Sequence, residues 1–180
     1  MNIFFDTEFT GLHKNTSLVS LGLVTECGRT FYAEFTDYKH TQITNWLEEN
    51  IIKNLRLPIL NDHQKNYIID EGVGLSVRGD SQFIAGVLSA WLISLGEHIY
   101  IWGDCPAYDW VLFCELFGGA MHIPACIFYV PLDLCTFLLS NGYDPDVSRR
   151  GLSGMNLVTH NALDDALMVK ACWEKVSDGH

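Results

Sequence analysis

Two carboxylates two residues apart open this chain. Met1 to Leu12 reads MNIFFDTEFTGL, so the apolar run Ile3-Phe4-Phe5 passes directly into Asp6, then Glu8, then Thr10-Gly11-Leu12. In a strand, side chains two apart point the same way, which puts Asp6 and Glu8 on one face. Paired carboxylates at the end of a buried strand are costly unless a cation neutralises them. Hard divalent ions take carboxylate oxygens, and sites with two such ions straddle a scissile phosphate. Alone, Asp-x-Glu also reads as a strand end running into a polar turn, so acids elsewhere in the chain must decide.

Two later segments supply them. In Trp102 to Trp110 (WGDCPAYDW) a strand ends at Gly103 and a helix begins with Asp109 in its first turn. Taken singly, Asp104 there is an N-cap and Asp109 an acid favoured by the helix dipole. In His160 to Ala166 (HNALDDA) a histidine stands just before the last helix, followed by Asp164 and Asp165. Singly, these are a capping histidine and a solvated acid pair.

The elements that must position these residues can be read from periodicity and turn signals. Asn2–Asp6, Ser17–Glu26 and Thr30–Thr36 read as strands, the last two joined by the turn Glu26-Cys27-Gly28-Arg29, which makes an antiparallel meander. Ile43, Trp46, Leu47, Asn50 and Ile51 fall at helical steps within His40–Asn54, with Thr41 or Thr44 as cap. Residues 55–79 are poorly patterned and read as an insertion on the substrate or partner side. After an Asp80-Ser81 cap, Phe83–Leu95 is a nearly all-round apolar helix, which is either buried or the seam of a homodimer. His98–Gly103 is a fourth strand, Asp104–Phe117 a helix and Ile127–Val130 a short fifth strand. Leu132–Ser140 is a further helix, Asn141–Gly154 a glycine-rich loop and Ala162–Val176 the terminal helix. The order predicts an α/β fold with a central mixed five-stranded sheet, its first three strands antiparallel, flanked by helices. At 180 residues the chain is expected to be a single domain, residues 1–180, with the insertion at about 55–79.

Composition bounds the function. A formal net charge of −11 argues against a long non-specific nucleic-acid groove, but not against an enzyme that grips a few nucleotides at a chain end. Six cysteines, none in a Cys-x-x-Cys pair, read as reduced thiols of a cytoplasmic protein. The N-terminus has no signal-peptide pattern, and the longest apolar run is too short to span a bilayer, so no membrane association is expected.

Together the three acidic segments match a family. Phe5-Asp6-Thr7-Glu8-Phe9-Thr10-Gly11-Leu12 resembles the first motif of the DEDDh 3′-to-5′ exonucleases, Tyr108-Asp109 the second, and His160-Asn161-Ala162-Leu163-Asp164-Asp165-Ala166 the third, His-x-Ala-Leu-x-Asp-Ala. They occur in the family's order across nearly the whole chain. The resemblance implies a ribonuclease H-like fold, metal ligands at Asp6, Glu8, Asp109 and Asp165, and His160 as general base. The family's spacing selects Asp165 over Asp164. Many members read His-Asn ahead of the second motif, where this chain has Gly103-Asp104-Cys105; Asp104 is thereby left as a rival or auxiliary carboxylate.

What the resemblance implies in chemistry is hydrolysis of a terminal phosphodiester with two Mg²⁺ or Mn²⁺ ions roughly 4 Å apart, one activating water and one stabilising the leaving 3′ oxygen. His160 would take the proton from that water, and a nucleoside 5′-monophosphate would leave. The resemblance places substrate grip at Thr10, Gly11 and Leu12. From the residues themselves, Phe9 and Trp110 read either as base-stacking surfaces or as core packing, and Arg149 and Arg150 either as contacts to the penultimate phosphate or as a solvated loop pair. The expected partners are single-stranded or overhanging 3′ ends of DNA or RNA. The second motif is similar to that of a small bacterial exoribonuclease branch, but the sugar stays open. Two other readings stand beside this one: a phosphoesterase acting on dinucleotides or short oligonucleotides, which an acidic surface favours, and a non-catalytic nucleotide-binding module, which the full set of four acids and a histidine disfavours.

Overall fold

The computed structural model describes residues 1–60, 66–96 and 98–178. β1 (Asn2–Phe9), β2 (Leu18–Thr25) and β3 (Thr30–Phe35) form the expected antiparallel meander. The sheet is larger than the five strands read from the sequence. With β4 (Tyr67–Asp70), β5 (Gly74–Gly79), β6 (Tyr100–Gly103) and β7 (Leu132–Asp133) it has seven, in the order β4-β5-β3-β2-β1-β6-β7. It is mixed, because β5 joins β3, β6 joins β1 and β7 joins β6 in parallel.

Two corrections follow. The stretch 55–79 supplies β4 and β5, an edge hairpin, although its residues 61–65 lie outside those described. Its strands escaped notice because the polar Ser76 and Arg78 alternate with Val77, and Arg78 lies across from Glu34 of β3. The last strand is Leu132–Asp133, not Ile127–Val130, where Ile127 forms a single bridge to Ile99.

The helices follow their caps. Thr44 caps α1 (Asn45–Asn50) by accepting from the Leu47 N–H, and single 3₁₀ turns at His40–Gln42 and Ile52–Asn54 replace the rest of the longer helix expected there. Asp80 caps α2 (Ser81–Ser94), which buries Ile84, Leu88, Trp91 and Leu92 against the sheet, while Ile93 stays exposed. Next come α3 (Ala107–Leu116), α4 (Leu134–Ser140, capped by Asp133), α5 (Arg149–Ser153) within the expected glycine-rich loop, and α6 (Ala162–Ser177).

Alternation along β1 builds two cores. Ile3 and Phe5, with Leu21, Leu23, Phe31 and Ala33, pack under α2 and against Phe113 of α3. Phe4 and Val24 on the other face pack under Leu134 and Leu138 of α4 and Ala166, Val169, Cys172 and Val176 of α6. Each such large side chain contributes about 1.5–3 kcal/mol on burial. Among the described residues no helix is long and apolar enough to cross a membrane.

Candidate active site

The face of β1 that seats α6 turns from apolar to acidic in one step, from Phe4 to Asp6 to Glu8. Across the β1–β2 ladder from Asp6 lies Gly22. A Cβ there would come within 2.4 Å of the Ala162 carbonyl group, so the first turn of α6 rests directly on β2. That close approach delivers Asp165 to β1. Asp6, Glu8 and Asp165 each bring an oxygen within 4.8 Å of the others.

Asp109 arrives on α3, from the other side of the sheet. Its Oδ1 accepts from the Thr7 N–H at 3.1 Å and from Thr7 Oγ1 at 2.6 Å, which ties α3 to the end of β1. His160 precedes α6 with a φ of 60°, a left-handed conformation uncommon outside glycine. Its N–H donates to Asp165 Oδ2 at 2.8 Å, and its ring meets Trp46 edge-on at 5.2 Å. Asp6, Glu8, Asp109, Asp165 and His160 together line a cleft of about 340 Å³, walled on its apolar side by Leu12, Trp46, Leu47 and Ile51.

Burial and mutual repulsion dominate the electrostatics of the group. Burial first, then the neighbouring acids, holds the Asp6 carboxyl well above the usual carboxylate range. Glu8 is pushed up to about 8 by burial and by Asp165 and Asp109. Asp165 is pushed up to about 6 by burial, against the hydrogen bond from His160. Asp109 rises as well, by burial, with Thr7 opposing. Among the described residues no lysine or arginine is ion-paired with any of the four. An all-oxygen donor set of buried, mutually repelling carboxylates fits hard divalent ions such as Mg²⁺ and Mn²⁺.

The other candidate residues are placed differently. Asp104 lies outside the close group of three acids but lines an adjoining cavity of about 340 Å³ with Asp6, His160 and Asp165. There Arg149 grips both its oxygens, Nε at 2.7 Å and Nη2 at 2.8 Å. Arg149 Nη1 is spent on the Val147 carbonyl, and Arg150 Nη2 donates to the Leu157 carbonyl. Thr10 is buried and secures the turn through Gln42 Oε1 and the Ser17 N–H. Leu12 is 75% exposed at the mouth of the cleft. Phe9 lines the cleft and stacks on Tyr108. Trp110 stacks on Phe113 at 5.5 Å, against the core under α2. A larger cavity, about 800 Å³, lies beside Met1, Ile93 and Tyr100 and carries none of the candidate residues.

A family model described as the 3′-5′ exoribonuclease Rv2179c-like domain matches residues 1–177. The chain belongs to this family. Two curated relatives, the 3′-5′ exoribonucleases MT2234.1 and Rv2179c of the CDC 1551/Oshkosh and H37Rv strains of Mycobacterium tuberculosis, are each 25% identical over 127 residues, covering 71% of this chain and 67% of the relative.

Within this exoribonuclease-family fold, sequence reasoning missed Trp46, Leu47 and Ile51 as a wall of the cleft, Thr7 as the tether of Asp109, and Asn54. Asn54 Nδ2 donates to the Thr159 carbonyl at 3.0 Å, beside His160. Gly22 inside a strand is itself a signal of close backbone approach. Nothing local marks the others, because their partners stand far away in the chain.

Proposed function

We propose that this protein is a metal-dependent 3′-to-5′ exoribonuclease with a ribonuclease H-like fold, releasing nucleoside 5′-monophosphates from single-stranded 3′ ends. The observation that carries the reading is the convergence of Asp6, Glu8 and Asp165 within 4.8 Å, in one cleft with Asp109 and His160. The meander β1-β2-β3 continued by parallel β6 and β7, with helices on both faces, supports the fold assignment. The printed names of the family and of its relatives favour RNA over DNA.

Asp6, Glu8, Asp109 and Asp165 would hold two Mg²⁺ or Mn²⁺ ions, which when bound supply the positive charge that activates water and stabilises the leaving 3′ oxygen. His160 is exposed at the rim and takes the proton from the attacking water through its imidazole. The main-chain bond from His160 to Asp165 keeps base and acid in one frame. Leu12, Gly11 and Phe9 flank the terminal nucleoside opposite Trp46, and Thr10 sets the turn that presents them. Trp110, stacked on Phe113 against the core, takes no part in that wall. Arg150 contacts the next phosphate, and Arg149 acts on substrate only through Asp104.

The test uses 5′-labelled RNA and DNA of one sequence with Mg²⁺, with Mn²⁺ and with chelator, beside Asp165→Asn. The expected outcome is an RNA ladder shrinking from the 3′ end, dependent on metal and absent in the variant. No shortening of either polymer by folded protein with any metal would sink the reading. A second reading, a phosphoesterase acting on dinucleotides or short oligonucleotides, is favoured by a cleft of about 340 Å³ on a chain of net charge −11. Rates on a dinucleotide against a longer RNA separate the two. A cytoplasmic setting, in which the six free cysteines stay reduced, and a homodimer through the outer side of α2 at Ile93 complete the proposal; sedimentation as a monomer would remove the dimer.

A further inference from the structure

A histidine held at a φ of 60° has easier conformations open to it, and the hydrogen bonds around it must exclude them. Its bond to Asp165 comes from its own N–H and does not reach the Thr159 carbonyl ahead of it. The restraint on this turn comes from the segment after α1. Asn54 Nδ2 donates to the Thr159 carbonyl at 3.0 Å, approaches the His160 carbonyl at 3.5 Å, and is itself anchored on the Asn50 carbonyl at 2.6 Å. The Asn54 carbonyl accepts in return from Asn161 Nδ2 at 2.9 Å. Asn54 therefore brackets His160, binding the residue before it through its side chain and the residue after it through its backbone.

The bracket is fixed to the sheet. Asn161 Nδ2 also donates to the Tyr32 hydroxyl at 3.3 Å, and that hydroxyl donates to the fully buried Glu34 at 3.0 Å. Glu34 accepts from the Arg56 and Leu57 N–H groups at 2.6 and 2.9 Å and pairs with Arg78. The chain of bonds thus runs from Asn161 through β3 and returns to Arg56 and Leu57, two and three residues after Asn54. A second tie joins the same two segments, since Arg56 pairs with Asp164, whose Oδ2 also accepts the Val158 N–H. Trp46, from the same α1 segment, abuts the imidazole. The bonds made by Asn54 itself involve no carboxylate of the proposed metal set.

We propose that Asn54 is a positioning residue for this reaction: its side-chain amide fixes the turn that aims His160 into the cleft, and it touches neither substrate nor metal. The inference rests on the reading of His160 as general base, and the experiment separates the two. Steady-state turnover of a labelled RNA is measured for wild type, Asn54→Asp, Asn54→Ala, His160→Ala and the double variant Asn54→Asp/His160→Ala. Asn54→Asp keeps the size of the side chain but turns its donor into a charged acceptor facing the Asn50 and Thr159 carbonyls, and Asn54→Ala removes the donor without adding charge. The expected result is a fall in kcat of about 10- to 100-fold for both Asn54 variants, with KM little changed, because a misplaced base slows chemistry rather than binding. In the His160→Ala background the Asn54→Asp change adds nothing, since there is no imidazole left to aim.

Losses that multiply in the double variant would overturn the positioning role and leave Asn54 a general stabiliser. Wild-type turnover in Asn54→Asp would overturn it too. Wild-type turnover in His160→Ala would instead remove the general-base reading, and the proposal with it. Amide hydrogen exchange gives a readout independent of turnover: Asn54→Asp is expected to speed exchange across 158–161 while β1–β3 keep their protection. Unchanged exchange there would count against the bracket.

Discussion

Gly22 and Ala162 meet backbone to backbone: a Cβ on Gly22 would stand 2.4 Å from the carbonyl carbon and oxygen of Ala162. Real Cβ atoms do not approach backbone so closely, and the obstacle is main chain that cannot rotate aside. Gly22→Ala is therefore expected to push the first turn of α6 off the sheet, moving Asp165 away from Asp6. The cost of such overpacking is about 1–3 kcal/mol in stability. The sharper readout is the rise in melting temperature on adding Mn²⁺, which is expected to shrink in the variant. A full metal response in Gly22→Ala would show that the contact does not set the acidic group.

Neighbouring acids in the third motif should separate cleanly. Asp164 is 6% exposed, pairs with Arg56 and accepts the Val158 N–H, whereas Asp165 faces Asp6 and Glu8. Asp164→Asn is expected to lower stability by about 1–3 kcal/mol, the cost of a weakened buried hydrogen-bonded pair, and to keep the metal response. Asp165→Asn removes one repelling charge, so it is expected to melt higher than wild type in chelator while losing metal response and activity. Thermal melts of both variants with and without Mn²⁺ make the comparison.

The raised carboxyls dictate how stability depends on pH when chelator is present. Glu8 moves from 4.5 to about 8 and Asp165 from 3.8 to about 6, so the folded state holds protons that the unfolded chain has released. Stability from these groups is complete below the unfolded values and is lost progressively as pH rises from about 4, ending as it passes about 6 for Asp165 and about 8 for Glu8. Divalent metal replaces those protons and is expected to flatten the slope. Urea melts across that range, with and without Mg²⁺, measure it. Glu8→Gln should flatten the chelator curve by itself, and an unaltered slope in that variant would contradict the assignment.

Arg149 and Arg150 are adjacent but should fail differently. Arg149→Ala frees Asp104 and exposes Cys135, whose thiol burial pushes up to about 12. The expected loss is mainly in melting temperature. Arg150 is exposed with one bond to a carbonyl, and Arg150→Ala is expected to raise KM for RNA several-fold with little change in stability. Equal KM effects from the two would return Arg149 to the phosphate.

Much of the site could be read from the chain alone, because its chemistry is written in local patterns. Asp6 and Glu8 share a strand face by the two-residue period, His160 and Asp165 flank one helix start, and Asp109 sits in the first turn of another. The meander, the caps at Asp80 and Thr44, and the terminal helix follow from the same short-range rules. At the sheet edge those rules failed because a polar residue stands where its partner is remote. Arg78 made β5 look like loop, yet it points at Glu34, a partner 44 residues away. Tertiary structure alone decided what depends on such distant pairs: that the stretch after β3 adds two strands, that Trp46 walls the cleft, that Arg149 is held by Asp104, and that Asn54 brackets His160. A sequence period reports which side of an element is buried. It carries no information about which remote group satisfies a buried donor or charge, and in this protein those remote pairings fix the position of the histidine.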